Sequence, residues 1–209
     1  MWHDWRRRTL LRGSFALAIG SVLPKPLRAD RQPTPAMTEG PFYPEELPAE
    51  SDPDLLRVAD QTAPAQGEPL HLFVLVEDVN GVPLAGTLVE IWQCDANGVY
   101  RHPSAGGQRD SGFQGYGRLF TDEEGIGHFR TIRPVAYAGR APHVHVKVET
   151  LDGRRLTTQM FVAEEPLNER DGLYRSLGEA APLVTVPLSP VDYEPPGLGC
   201  SFFIVLPEA

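Results

Sequence analysis

Tyr137-Ala-Gly-Arg140-Ala-Pro142-His143-Val-His145-Val-Lys147-Val148 carries the clearest local pattern in the 209-residue chain. From Pro142 onward it alternates with period two, so a β-strand puts His143 and His145 on one face and Val144, Val146 and Val148 on the other. Two imidazoles two residues apart, roughly 6.6 Å along a strand, can turn inward onto one ion. A proline just before the pair suits an edge strand or the first residue of a strand, where its missing N–H breaks no ladder bond. Alone, a His-x-His pair fits the polar face of a half-buried strand equally well. Tyr137, six positions upstream, and Tyr100 in Gly98-Val-Tyr100-Arg-His102 supply two further donors.

Working outward, the body is a procession of short alternating runs separated by turn signals. Leu70 to Val76 precedes Asn80-Gly81, and Thr87 to Trp92 precedes Asn97-Gly98. Gly117 to Phe120, Gly127 to Ile132, the histidine strand, Thr157 to Val162, Leu183 to Val186 and Ser201 to Leu206 follow. This cadence, with 20 glycines and 21 prolines, predicts an all-β chain built as an antiparallel-rich β-sandwich. Only Leu167 to Leu177 suggests a short helix. Residues 30–66, rich in proline and acids, read as an extended N-terminal arm on a β-sandwich domain spanning 67–209. Within the arm, Gly40-Pro41-Phe42-Tyr43-Pro44 offers two aromatics on a pre-extended path, suited to docking.

Residues 1–29 read as a removable signal. Six basic residues against one acid are followed by the apolar run Ser14 to Leu23, and Arg7-Arg8-Thr-Leu-Leu11 matches the twin-arginine export pattern. The run is shorter than the roughly 20 residues a spanning helix needs, so stable membrane insertion is not expected. The expected location is periplasmic or secreted. The remaining chain carries 13 basic and 27 acidic residues, a balance that argues against nucleic-acid partners. An oxidising compartment permits a Cys94–Cys200 bridge, which sequence leaves open, and Cys94 beside the Glu90–Trp92 run reads as a buried small apolar residue.

The chain resembles the intradiol ring-cleavage dioxygenases. The resemblance rests on Glu39-Gly-Pro-Phe-Tyr43, Val89-Glu-Ile-Trp-Gln93 with Gly98-x-Tyr100-Arg-His102, Thr131-Ile-Arg-Pro134-x-x-Tyr137, Arg140-x-Pro-His143-x-His145 and Thr158-Gln-Met160. It implies that Tyr100, Tyr137, His143 and His145 bind a mononuclear non-haem Fe(3+). It also implies that a catechol and O2 are the substrates and a cis,cis-muconate-type diacid the product. Tyr137 is implied to take a substrate proton and leave as a phenol. Arg140 is implied to stabilise negative charge on the ring and to contact substrate, Gln159 to orient Arg140, and Tyr43 to touch substrate. The donor set agrees with the ion: a phenol of pKa ~10 ionises at neutral pH only beside strong positive charge, and two phenolates plus a hydroxide neutralise a trivalent ion. Zinc sites draw instead on Cys, His and carboxylate.

Only five residues separate Tyr137 from His143, where protocatechuate-type relatives carry a longer loop, and the chain has no room for the helical N-terminal domain of catechol-type relatives. It therefore resembles a compact single-domain branch, with homo-oligomer formation left open. Two other readings compete. Glu149 shares the histidine face, as in a cupin, but a cupin needs a later histidine and His145 is the last in the chain. A transthyretin-like or carbohydrate-binding sandwich accounts for Gly81 to Gly86 and Thr121 to Gly125, but leaves the tyrosines and histidines unexplained. His71, His102 and His128 are expected to be structural, and Trp92 to pack near the core.

Overall fold

The computed structural model describes residues 31–208, so the signal expectation for 1–29 lies outside the described residues. Among the described residues nine strands form two sheets packed face to face. The first sheet holds β1 (Pro69–Asp78), β4 (Ile126–Ile132), β8 (Ser189–Val191) and β9 (Gly197–Leu206), in the order β4-β1-β9-β8. The second holds β2 (Leu88–Trp92), β3 (Tyr116–Phe120), β5 (His143–Glu149), β6 (Arg155–Val162) and β7 (Thr185–Val186), in the order β3-β2-β5-β6-β7. Five of the seven ladders are antiparallel; β1–β9 and β6–β7 are parallel. A parallel pair needs a long crossover, and for β1 and β9 most of the domain lies between them.

Alternation decides which side chains meet between the sheets. Leu70, Leu72, Val74, Phe129, Phe202 and Ile204 from the first sheet face Val89, Ile91, Val144, Val146, Val148 and Met160 from the second, all fully or almost fully buried. Because the valines of β5 occupy this core, its histidines must lie on the outer face of the second sheet.

That outer face is not left to solvent. Residues 31–66 run along it and over the sheet edges. Thr34 N–H donates to the Val205 carbonyl (3.0 Å), Met37 N–H to Thr157 (2.8 Å), and Leu55 N–H to Arg130 (2.8 Å), while Leu55 itself enters the core. The arm thereby gains ladder-like bonds without forming strands of its own.

Three local expectations change. Pro142 precedes β5 at its first residue, but β5 is central rather than an edge strand. The Leu167–Leu177 helix is interrupted: a 3₁₀ turn over Pro166–Arg170 stops at Asp171, whose extended backbone (φ −78°, ψ 117°) starts the short helix α1, Gly172–Ser176. Of Leu183–Val186 only Thr185 and Val186 are strand, because a 3₁₀ turn over Gly178–Val184 precedes them. Among the described residues no helix is long and apolar enough to cross a membrane.

Candidate metal centre

Strand pairing lays out the floor of the site. Across the second sheet, Tyr116, Trp92, His145 and Gln159 stand opposite one another on four consecutive strands. His143 lies one step along, opposite Phe161. Trp92 stacks flat on His145 (centroids 4.8 Å, planes 8° apart), which fixes that imidazole from one side.

Two loops then bring in the tyrosines. Tyr100 follows the Asn97-Gly98 turn, whose Gly98 has φ +75°. Tyr137 opens a tight turn in which Ala138 (φ +44°) and Gly139 (φ +81°) are both left-handed, closed by Arg140 N–H to the Tyr137 carbonyl at 2.7 Å. The four rings form a closed circuit. Centroid separations are 5.0 Å for Tyr100–Tyr137, 5.6 Å for Tyr137–His143, 4.8 Å for His143–His145 and 6.1 Å for His145–Tyr100.

Several features fit this circuit to a cation. His143 Nδ1 lies 2.6 Å from the Ala141 carbonyl, so it carries the proton and leaves Nε2 with a free lone pair. His143 Nε2 and His145 Nε2 are 3.3 Å apart, close enough for both imidazoles to share one ion. The Tyr100 hydroxyl is buried without a hydrogen-bond partner among the described residues. Such an orphaned oxygen is costly unless something ligates it. Burial, then the neighbouring Tyr137 and Cys94, push the Tyr100 phenol well above its ordinary range, so only a nearby cation can draw it into the phenolate form. No three His, Cys, Asp or Glu side chains gather as a metal site among the described residues. The candidate donors here are tyrosine and histidine.

Arg140 borders the circuit. Its Nε donates to Asp171 Oδ2 (2.8 Å) and its Nη2 to Gln159 Oε1 (2.7 Å), while Gln159 Nε2 is held by the Thr38 carbonyl (2.9 Å). Burial alone would raise the Asp171 carboxyl, but hydrogen bonds from Ala141 N–H, Arg140 and Tyr174 N–H outweigh it and hold the group below its usual range.

Tyr43 packs against Trp92 and Tyr116. Its hydroxyl donates to Glu90 (3.0 Å), its ring is edge-on to Trp92, and Lys147 Nζ lies 4.1 Å from its centroid. Phe42 instead stacks on Tyr100 at 4.6 Å and meets Tyr137 edge-on at 6.0 Å. His102 is buried with Nδ1 2.7 Å from Ser104 Oγ, touches Phe42, and stays outside the circuit. A cavity of about 640 Å³ opens beside it, lined by Glu45, Arg101 and Arg109 among others. Cys94 and Cys200 are buried free thiols, each pushed up to about 12 by burial. Sequence reading missed Asp171, Glu90 and the stacking role of Trp92. An N-cap signal before Gly172-Leu-Tyr marks Asp171, but nothing local ties it to Arg140.

An all-β sandwich with a mixed tyrosine–histidine centre defines a narrow class. A family model described as "Dioxygenase" matches residues 38–206. The chain is 35% identical over 178 residues to the protocatechuate 3,4-dioxygenase beta chain of Burkholderia cepacia, covering 79% of this chain and 76% of the relative. It is 30% identical over 171 residues to catechol 1,2-dioxygenase 1 of Acinetobacter lwoffii, covering 73% of this chain and about half (53%) of that longer protein. It is also similar to the solved dioxygenase domain of a dioxygenase–carbohydrate-binding protein fusion from Streptomyces sp. SirexAA-E. There the TM-score is 0.65 and identity 32%, over 85% of this chain and 100% of that one. The chain belongs to the intradiol ring-cleavage dioxygenases, a family of oxidoreductases.

Burial lowers His143 from 6.5 to about 4, and lowers His145, aided by His143, from 6.5 to about 2. Between those values and 6.5 the unfolded chain binds more protons than the folded one, so stability rises with pH across that window. The metal-free protein should therefore be at full stability above pH 6.5 and melt at progressively lower temperature from pH 6.5 to 4. A His145→Gln variant should show a shallower slope. Thermal melts with the same slope in both proteins would contradict the neutral, buried imidazoles.

Proposed function

We propose that this chain holds a mononuclear non-haem Fe(III) through Tyr100, Tyr137, His143 and His145 and uses O2 to cleave a catechol between its two hydroxyl-bearing carbons. The product is a cis,cis-muconate-type diacid. The observation that carries this reading is the closed circuit of two phenols and two neutral imidazoles, with a buried Tyr100 oxygen that finds no hydrogen-bond partner among the described residues. Support also comes from relatives named as protocatechuate 3,4- and catechol 1,2-dioxygenases.

An Fe(III) ion held by these four side chains would supply the Lewis acidity that activates an electron-rich catechol toward O2. The remaining work falls to side chains. Tyr137, on its tight turn, is the less buried phenol of the pair, and its Oη takes a proton from a substrate hydroxyl. Tyr100, pinned under Phe42, is the fixed phenolate donor. His143 is held in one tautomer by the Ala141 carbonyl, and His145 in one plane by Trp92. Trp92, Phe42 and the arm keep bulk water from the ring. Arg140 presents a guanidinium, gripped along its Nε–Nη2 edge, to the negative charge that develops on the ring.

Oxygen uptake with catechol, protocatechuate and hydroxyquinol tests the proposal, with the diacid followed by its ultraviolet absorbance. One O2 per catechol is expected from at least one of the three. Arg140→Ala should keep its iron and lose about 100- to 1000-fold in kcat, the scale for removing one preorganised charge-stabilising donor. An iron-loaded chain inert toward all three, or an Arg140→Ala variant with full turnover, contradicts it.

We also propose that the chain is exported folded through its twin-arginine signal, which places the reaction in the periplasm or outside the cell. The Arg7-Arg8 pair followed by Thr-Leu-Leu11 supports this. Fractionation should find the wild type outside the cytoplasm and an Arg7→Lys/Arg8→Lys variant retained inside, and equal export of both rules it out.

A further inference from the structure

Asp171 donates nothing to the four-ring circuit, yet it is the most heavily committed buried carboxylate near it. Its side chain is 0% exposed. Oδ1 accepts from Leu173 N–H (2.9 Å) and Tyr174 N–H (3.2 Å), capping α1. Oδ2 accepts from Arg140 Nε (2.8 Å) and Ala141 N–H (2.9 Å). A cap alone needs one oxygen. The second oxygen is spent on the guanidinium and on the residue whose carbonyl takes the His143 Nδ1 proton.

We infer that Asp171 is the positioning residue for Arg140, the buried carboxylate that sets which edge of the guanidinium faces the substrate. This rests on the catechol-cleavage reading above. Arg140 is fixed at its backbone by the 137–140 turn, at Nε by Asp171 and at Nη2 by Gln159. Its Nη1 makes no hydrogen bond among the described residues, so the fork is turned with one edge anchored and one edge free. The Asp171–Nε bond is the charge-assisted one of the pair, and it comes from a group that cannot move without uncapping α1. Tyr174 of that helix packs edge-on against Phe161 (5.0 Å), and Phe161 against His143 (5.7 Å), so the anchor belongs to the same packed unit as the histidine strand. Losing the anchor frees the guanidinium to swing, and a displacement of about 1 Å from the productive geometry costs roughly 100-fold in rate.

Asp171→Asn is the informative change. Asparagine keeps the shape and the cap on α1, since it caps as well as aspartate, but it sets an NH2 against the two donors that Oδ2 served. The experiment is a double-mutant cycle on the iron-loaded protein with whichever catechol the wild type cleaves, joined to ¹⁵N NMR of the metal-free protein. Asp171→Asn should lower kcat about 10- to 100-fold, with iron content unchanged and KM within about twofold. In an Arg140→Ala background the same change should cost no more than about twofold, because the group it positions is gone. In the metal-free protein the Arg140 Nε–H signal, assigned by its loss in Arg140→Ala, should exchange slowly in the wild type and rapidly in Asp171→Asn. Equal losses in both backgrounds, a loss traced to missing iron, or an unchanged Nε–H signal would overturn the role while leaving the dioxygenase reading intact. A wild type that takes iron but cleaves no catechol overturns that reading and this role together.

Discussion

Strand β5 has only two faces, and its valines claim one of them. With Val144, Val146 and Val148 in the core between the sheets, His143 and His145 must stand together on the outer face of a sheet whose centre they occupy. A one-residue slip would place both imidazoles among Leu72, Phe129 and Phe202 and strip the core of three apolar side chains. Everything else near the site answers that constraint: two buried polar rings on an outer sheet face need a cover and partners. The arm, the Tyr100 loop and the Tyr137 turn provide the cover, and the tyrosines are themselves candidate partners.

The electrostatics of the cluster form a second layer of the same argument. Burial drives three of the four toward their neutral forms, the His143 and His145 imidazoles downward and the Tyr100 phenol upward. Neutral imidazole is already the ligating state, whereas phenol is not. An ion with enough charge to ionise a buried phenol would therefore find the imidazoles already in their ligating state. Arg140, held beside Asp171, carries positive charge to the rim, and its own counter-charge is locked away on the side remote from its free nitrogen.

Sequence made the strands legible because each long run alternates over a core face, and the turn signals at Asn80-Gly81 and Asn97-Gly98 fall where the glycines turn left-handed (φ +69° and +75°). It failed where tertiary contacts override local pattern. Strand β8 contains Pro190 and three residues in all, too short to alternate, and survives as an edge strand beside β9. The helix at 167–177 breaks because Asp171 is needed in an extended conformation to cap the next turn. The four candidate donors were visible as residue types and were grouped by motif order. Their meeting in space depends on the 97–100 and 137–140 turns, whose geometry spacing alone does not give. Asp171 was invisible for a related reason, since its link to Arg140 spans 31 residues and two elements.

The central claim is that the two tyrosines and two histidines hold a single ferric ion. The most direct test is an anaerobic Fe(III) titration of the chain from Asp30 onward, read in the visible for phenolate-to-iron charge transfer. A band should grow to one equivalent of iron, weaken in Tyr100→Phe and in Tyr137→Phe, vanish in the double variant, and move to longer wavelength when a catechol is added. A protein that stays colourless at full iron loading, or one whose band survives loss of both tyrosines, contradicts the account.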